Sequence, residues 1–269
     1  MQKTIFITGA SSGLGKASAK LFASRGWEVI ATMRKPEAEE ELAGVNNIRL
    51  LSLDITNPVQ INEAVTAAVT AGSLDVVFNN AGYGLFGPFE GTTDEQIVQE
   101  LNTNLLGTLR VTKAFLPHLR KQRGGLFINT TSIGGLVAFP FNSVYHATKW
   151  ALEGWSESLA FELKPFGIGV KTVSPGGIAT DFAGRSLVGT EHEAYAPAME
   201  KVQSAFSNPD RTAAYSTAEE IAEVVFEAAT DGKETLRYVA GKGAKAAYQR
   251  RLQIGDEAFR AEIEKSFLG

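Results

Sequence analysis

The sequence predicts a doubly wound α/β fold, with one parallel β-sheet of about seven strands and helices on both faces. Three observations carry this expectation. Short apolar runs alternate with longer helix-period segments along the chain. Most of those runs are near-continuous Val, Ile, Leu and Phe, as strands buried on both faces require. The turn from the first run into the first periodic segment is rich in glycine.

The elements are expected in the following order. A strand at Thr4–Thr8 leads into a helix over Leu14–Ser24, and strands at Glu28–Met33 and Ile48–Leu53 follow. A helix over Val59–Ala71 precedes a fourth strand at Leu74–Phe78. Helices over Asp94–Leu101 and Leu105–Arg120 come next, with Pro117 marking a kink or a late stop in the second. A strand at Leu126–Thr131, a helix over Val144–Leu163, a strand at Val170–Val173, a helix over Ala218–Ala229 and a strand at Arg237–Ala240 complete the alternation. Two stretches break the rhythm. Thr180–Thr217 is rich in Gly, Ala, Ser and Pro and only weakly periodic, and a long irregular segment in a compact domain is usually functional or mobile. The tail over 242–269 is charged and reads as a helical extension around Lys245–Leu252 and Asp256–Phe267. No repeat, low-complexity tract or linker divides the chain, so residues 1–269 read as one domain.

Composition removes several function classes. The 269 residues are 44% hydrophobic and 21% charged, with a net charge of -4, which gives no electrostatic reason to expect nucleic acid. There is no cysteine, which excludes disulfides, thiolate nucleophiles and zinc–thiolate sites. His118, His146 and His192 are far apart and form no metal-ligand pair, so no metal is expected. The apolar run at Thr4–Thr8 is too short for a signal-peptide core. No stretch reaches the roughly 18 apolar residues of a membrane span. The expectation is a cytoplasmic protein that is neither exported nor membrane-bound.

Thr8-Gly9-Ala10-Ser11-Ser12-Gly13-Leu14-Gly15 joins the first strand to the first helix. A helix N-terminus offers unpaired N–H groups and partial positive charge, and glycines let the backbone approach a pyrophosphate. Ser11 and Ser12 add hydroxyls. A P-loop would need four residues between its first glycine and a Gly-Lys pair, then Ser or Thr; here five residues separate Gly9 from Gly15-Lys16, and Ala17 follows. The G-x-G-x-x-G spacing is not met either, because the glycines read G-x-x-x-G-x-G.

Tyr145-His146-Ala147-Thr148-Lys149 opens a long helix. Residues four apart share a helix face, about 6 Å apart along the axis. A tyrosine with a pKa near ~10 is a poor base at neutral pH, and a neighbouring ammonium favours its phenolate. Such pairs also arise by chance on helix surfaces, so the weight comes from company. Ser132 follows a buried strand thirteen residues upstream of Tyr145, where its hydroxyl can donate to a carbonyl oxygen. Asn104 begins another helix.

In these residues the chain resembles the classical short-chain dehydrogenase/reductases. The resemblance rests on Thr8-Gly9-x-x-x-Gly13-x-Gly15, Asp54 after the third strand, Asn79-Asn80-Ala81-Gly82 after the fourth, Asn104, Ser132, Tyr145-x-x-x-Lys149, and Pro175-Gly176 with Thr180. It implies a Rossmann-like fold and hydride transfer between a nicotinamide dinucleotide and a carbonyl/alcohol pair. Under it Tyr145 is the acid/base, and Lys149 binds the nicotinamide ribose and tunes Tyr145. Ser132 polarises the carbonyl, and Asn104 holds a water of a proton relay. The implied cofactor contacts are Gly9, Ser11, Ser12, Gly13, Leu14 and Gly15 at the pyrophosphate, with Asp54 and Ile55 at adenine. Asn80, Ala81 and Gly82 line the adenosine-ribose side, and Pro175, Gly176, Ile178 and Thr180 hold the nicotinamide end. The second strand ends Met33-Arg34-Lys35, without the carboxylate that favours NAD. Arg34 is placed to grip a 2′-phosphate, so NADP(H) is the expected cofactor with NAD possible; a solvated loop start is the plainer reading of Arg34 and Lys35.

Further expectations follow from the resemblance. Thr180–Thr217 reads as a substrate lid beside the nicotinamide end. Phe86, Phe89, Phe139 and Phe141 line a pocket for a fairly apolar small molecule or else serve as core. His146 is structural. Pairing through the two long helices, with Trp150 and Trp155 as candidate anchors, gives a homodimer or homotetramer. Two other readings stay open: a dinucleotide-binding sensor or scaffold without turnover, and a non-redox use of the same fold.

Overall fold

The computed structural model describes residues 2–70, 72–179 and 187–269. Seven strands form a parallel sheet: β1 (Thr4–Thr8), β2 (Glu28–Met33), β3 (Ile48–Ser52), β4 (Val76–Asn79), β6 (Gly125–Thr130), β7 (Ile168–Pro175) and β9 (Arg237–Ala240). Their spatial order is β3-β2-β1-β4-β6-β7-β9. Two short strands, β5 (Gly84–Phe86) and β8 (Leu187–Gly189), pair separately. The helices are α1 (Gly13–Ser24), α2 (Pro58–Thr70), α3 (Asp94–Glu100), α4 (Thr108–Gln122), α5 (Ser143–Leu163), α6 (Ala196–Phe206), α7 (Pro209–Thr212), α8 (Ala218–Thr230), α9 (Lys242–Ile254) and α10 (Asp256–Leu268).

The central strands are largely apolar because each faces two cores. In β1, Ile5 and Ile7 join Leu14, Phe22, Trp27 and Val225, while Phe6 points the other way into Ile30, Val77, Phe115 and Leu119. Helices α1 and α8 therefore cover one face, and α2, α4 and α5 the other. Phe6 meets Phe115 edge-on with ring centroids 4.8 Å apart. Emptying a buried phenyl site of this kind costs about 3–5 kcal/mol. Local signals set the helix starts. Thr93 with Gln96, and Thr217 with Glu220, form capping boxes that open α3 and α8.

Four features differ from the expectations. First, Asn104 does not begin a helix. A π-helical segment, Leu101–Gly107, joins α3 to α4, so the helical path is unbroken from Asp94 to Gln122. Single-turn π segments keep a helix going while rotating its side chains, and they gather at functional sites. Second, α4 passes through Pro117 and continues to Gln122. Third, the described part of Thr180–Thr217 is ordered as β8, α6 and α7, and β8 ties it back to β5. Its helices are weakly periodic because α6 buries little and depends on aromatic contacts with α10. Fourth, β7 extends well beyond Val170–Val173. Its polar residues are buried with partners: Lys171 Nζ donates to Asp231 Oδ1 at 2.7 Å, and Ser174 Oγ donates to Glu153 Oε1 at 2.8 Å.

The sheet order reverses direction between β1 and β4. In open parallel sheets the crevice beyond the carboxyl ends of such a pair is where ligands bind. The glycine turn, Asn80–Gly82 and Ser132 all leave the sheet at those ends.

Candidate active site

The glycine turn forms an anion cradle. Ser12 is the N-cap of α1, and its side chain makes no capping hydrogen bond. The first-turn amides therefore lack intrahelical acceptors, and no acidic residue stands in that turn. Gly15 is required by close approach: a Cβ there would lie 2.2 Å from the Gly9 carbonyl oxygen and 2.6 Å from Asn80 Nδ2. Asn80 fastens the turn to β4. Its Nδ2 donates to the carbonyls of Thr8 (3.2 Å) and Gly9 (3.1 Å), and its own N–H donates to Thr8 Oγ1 at 2.9 Å. The Ala81 N–H shares that hydroxyl at 3.1 Å.

Beside the cradle, Ser132, Tyr145 and Lys149 converge. Ser132 is extended, and its Oγ accepts from the Gly134 N–H at 2.9 Å. That contact uses an acceptor site and leaves the hydroxyl proton to donate. The Ser132 side chain also acts on the Tyr145 phenol, favouring its ionised form against the effect of burial. Lys149 Nζ donates to the Thr130 carbonyl at 3.0 Å and lies 5.7 Å from the Tyr145 ring centroid. Its helix is held against the Ser132 turn by His146. The His146 ring meets the Gly134 carbonyl through Nδ1 at 2.6 Å, while Nε2 accepts from the Phe139 N–H at 2.9 Å. One imidazole thus fixes the distance between Ser132 and Tyr145, and the structural role read for it is the one its contacts show.

Asn104 is buried, and its amide is fully engaged. Its Oδ1 accepts from the Tyr83 N–H at 3.0 Å, and Nδ2 donates to the Tyr83 carbonyl at 2.7 Å, with Thr148 Oγ1 at 3.3 Å and Glu100 Oε1 at 3.4 Å sharing its second N–H. The side chain therefore pins the chain just after Gly82. That glycine is the second place where close approach matters: a Cβ on Gly82 would stand 3.0 Å from Asn104 Oδ1 and 3.8 Å from Lys149 Nζ.

The protonation states suit proton donation. Desolvation pushes the Tyr145 phenol up to about 12; the Ser132 hydrogen bond opposes this and the Glu100 carboxylate adds to it. Desolvation brings the Lys149 ammonium down to about 8, against the pull of the Glu100 and Glu153 carboxylates. At neutral pH the tyrosine therefore holds its proton and the lysine is predominantly charged.

The remaining expected contacts among the described residues lie at or just after the carboxyl ends of β2, β3 and β7. Met33 is buried, whereas Arg34 and Lys35 are exposed at the end of β2, and Arg34 has no ion pair among the described residues. Asp54 Oδ1 accepts from the N–H and hydroxyl of Thr56 at 2.9 and 2.7 Å, and Ile55 packs over Gly107. Pro175 ends β7, the Gly176 N–H donates to the Ala240 carbonyl at 3.0 Å, and Ile178 bridges Ser216. Thr180 lies outside the described residues. Of the four phenylalanines, Phe86 and Phe139 join an aromatic cluster with Phe206 and Phe267, Phe141 faces Tyr195, and Phe89 is exposed. Phe206 and Phe267 carry no sequence signal beyond their type, since each lies on a helix remote in sequence. Sequence reading also missed Glu100, a buried acid on α3. Among the described residues no cluster of His, Cys, Asp and Glu could hold a metal ion, and no helix is long and apolar enough to cross a membrane.

The arrangement has known counterparts. The chain is 42% identical over 179 residues to 3-ketodihydrosphingosine reductase of Bacteroides thetaiotaomicron, covering 66% of this chain and 65% of that protein. A short-chain dehydrogenase from Streptomyces avermitilis superposes with a TM-score of 0.85 at 33% identity, covering 98% of this chain and 95% of that one. A Burkholderia cenocepacia short chain dehydrogenase, solved in complex with NADP, superposes with a TM-score of 0.78 at 26% identity, covering 98% and 99%. Residues 3–188 match the family described as short chain dehydrogenase, and with the shared sheet and the similarity to these oxidoreductases this establishes that the chain belongs to the short-chain dehydrogenase family.

Proposed function

We propose that this enzyme interconverts a ketone and a secondary alcohol on a fairly apolar small molecule, with NADP(H) as cofactor. The observation that carries the proposal is the convergence of the Ser132 hydroxyl, the Tyr145 phenol and the Lys149 ammonium beside the glycine cradle. A nicotinamide dinucleotide bound there supplies or accepts the hydride. Ser132, its oxygen already accepting from Gly134, donates to the substrate carbonyl and orients it. Tyr145 gives up its proton to the developing alkoxide. Lys149 places positive charge beside the phenolate that remains and offers donors to the cofactor's ribose. Asn104 holds Gly82–Tyr83, and so the floor of the site, in place.

The cradle of Gly9, Ser11, Ser12, Gly13, Leu14 and Gly15 fits a pyrophosphate, because its amides are free and close approach is built into Gly15. Asp54 and Ile55 flank the adenine side, Asn80, Ala81 and Gly82 the ribose side, and Pro175, Gly176, Ile178 and Thr180 the nicotinamide end. Arg34, exposed and without an ion pair among the described residues, is the 2′-phosphate ligand. The bound NADP of the Burkholderia cenocepacia protein supports this cofactor. The cluster of Phe86, Phe139, Phe206 and Phe267 supports an apolar substrate, and the similarity to 3-ketodihydrosphingosine reductase of Bacteroides thetaiotaomicron supports a keto substrate. The segment from 180 to 217 is the lid. Trp150 and Phe161, 42% and 74% exposed on α5, support a homo-oligomer through that helix, which light scattering reads as a mass above that of one chain; Trp155, the other expected anchor, packs against the core instead.

The test is a panel of ketones and secondary alcohols with NADPH, NADH and their oxidised forms, followed by cofactor absorbance. Turnover with NADPH on apolar ketones is expected. Bound cofactor with no net consumption across the panel would overturn the proposal in favour of a sensor or a non-redox reaction.

A further inference from the structure

Glu100 is the last residue of α3 and is fully buried, at 0% exposure. Removing a carboxylate from water costs several kcal/mol unless its oxygens are paired. Here the pairing is incomplete. Oε1 accepts from the Leu85 N–H at 3.1 Å and from Asn104 Nδ2 at 3.4 Å, while Oε2 has no hydrogen-bond partner among the described residues. A leucine would fill this place at lower cost, so stability does not account for the acid.

Its surroundings do. The Asn104 amide stands between Glu100 and Lys149: its Nδ2 reaches Glu100 Oε1, while a Cβ on Gly82 would lie 3.0 Å from Asn104 Oδ1 and 3.8 Å from Lys149 Nζ. Across that amide the titratable groups the Glu100 charge acts on are Lys149 and Tyr145 of α5 and Tyr83 before β5. On its own helix Asp94 and Glu95 sit in the first turn, away from it, and Asn104 follows one turn on. Glu153 is a second carboxylate acting on Lys149. Glu100 thus joins three parts of the site: the β5 backbone, the Asn104 amide and the Lys149 charge.

We propose that Glu100 is a positioning residue for the reaction: its carboxylate is the buried counter-charge of Lys149 and fixes the Asn104 amide that holds Gly82–Tyr83. It acts through Lys149 and Asn104 and touches neither substrate nor cofactor. This rests on the ketone reduction proposed above.

The sign of the effect follows. A negative charge makes every neighbouring proton harder to remove, so Glu100 raises Lys149 and Tyr145 alike. Burial pushes the Glu100 carboxyl itself up to about 7, against the pull of the Leu85 N–H and the Lys149 ammonium. Once ionised, the carboxylate extends the range over which Lys149 stays charged.

The test is Glu100→Gln in the full chain. The glutamine oxygen still accepts from Leu85, the volume is kept, and only the charge goes. In NADPH-dependent ketone reduction the alkaline limb of the kcat profile should move to lower pH by about half a unit to one unit, so the ratio of the rate at pH 9 to that at pH 6.5 falls about three- to ten-fold. Glu100→Asp, which keeps the charge, should bring the limb back toward the wild-type position. A structural role alone predicts the same fractional loss at every pH. An E100Q limb that superimposes on the wild type, or a limb displaced equally in E100D, overturns the proposal. NMR titration of the Lys149 side-chain nitrogen in wild type and E100Q reads the same shift without turnover. That measurement separates failure of the counter-charge from failure of the ketone-reductase reading.

Discussion

The segment proposed as the lid is latched to α10 by aromatic contacts, which Phe267→Ala is expected to release. Phe267, 2% exposed near the end of α10, stacks on Phe206 of α6 at 4.8 Å and on Phe139 at 5.8 Å. The Arg211 guanidinium lies 4.1 Å from its ring centroid, Arg211 Nη2 donates to Ser266 Oγ at 3.0 Å, and Lys201 Nζ donates to the Leu268 carbonyl at 3.1 Å. Removing a buried phenyl costs about 3–5 kcal/mol in a core, and the cation–π contact adds about 0.5–1 kcal/mol. The Phe206–Phe267 contact joins α6 to α10 and not to a strand of the sheet, so the loss is expected as local opening. A fall of about 3 kcal/mol in opening free energy raises the open population roughly a hundred-fold. Hydrogen exchange by mass spectrometry reads this directly. Amides of Ala196–Thr212 and Asp256–Leu268 should exchange faster by about that factor while those of β1 stay protected, and KM for apolar ketones should rise. Unchanged exchange over Ala196–Thr212 in a folded mutant would refute the latch.

Other outcomes follow from the same geometry. Tyr145→Phe keeps the packing but removes the transferable proton, so kcat should fall about 10²–10⁴-fold with NADPH affinity near the wild-type value, whereas Lys149→Ala should damage both; steady-state kinetics and fluorescence titration check this. Arg34→Ala removes a charge-assisted contact of roughly 1.5–3 kcal/mol, weakening NADPH binding about 10–150-fold. Because Arg34 is exposed and screened, the lower end is expected, with NADH affinity nearly unchanged, and Met33→Asp should shift preference toward NADH. A wild-type kcat/KM higher with NADH would contradict this assignment. Burial holds the His146 imidazole below 6.5, so its neutral form favours the fold above that value and the contribution is lost as pH falls. The urea midpoint should drop between pH 7 and pH 5, and less so in His146→Asn.

Much of the fold was legible because strand burial and sequence pattern are the same fact here. Ile5-Phe6-Ile7 reads as a continuous apolar run since its residues enter two cores. Legibility failed where partners are distant. β7 outruns the expected Val170–Val173 at both ends, where Ile168-Gly169 and Ser174-Pro175 make no continuous apolar run, and Ser174 reads as strand only once Glu153 is beside it. β5 and β8 are three residues each and exist through pairing across about a hundred residues, which no local pattern encodes. The π segment has no composition signal, so Asn104 looked like a helix start. Ser132, Tyr145 and Lys149 stood out because their chemistry needs those types at that spacing. Glu100 did not, because an acid in a charged helix reads as a solvated face until its burial is seen.

The central claim is that hydride passes from NADPH to a carbonyl carbon while Tyr145 supplies the proton. Isotope transfer tests it most directly. The enzyme is given NADPH deuterated at the transferable position together with a reducible apolar ketone, and the product alcohol is analysed by mass spectrometry. One deuterium should appear on the carbinol carbon with the wild type, and turnover should collapse with Tyr145→Phe. Product without deuterium, or full turnover with Tyr145→Phe, would contradict the account.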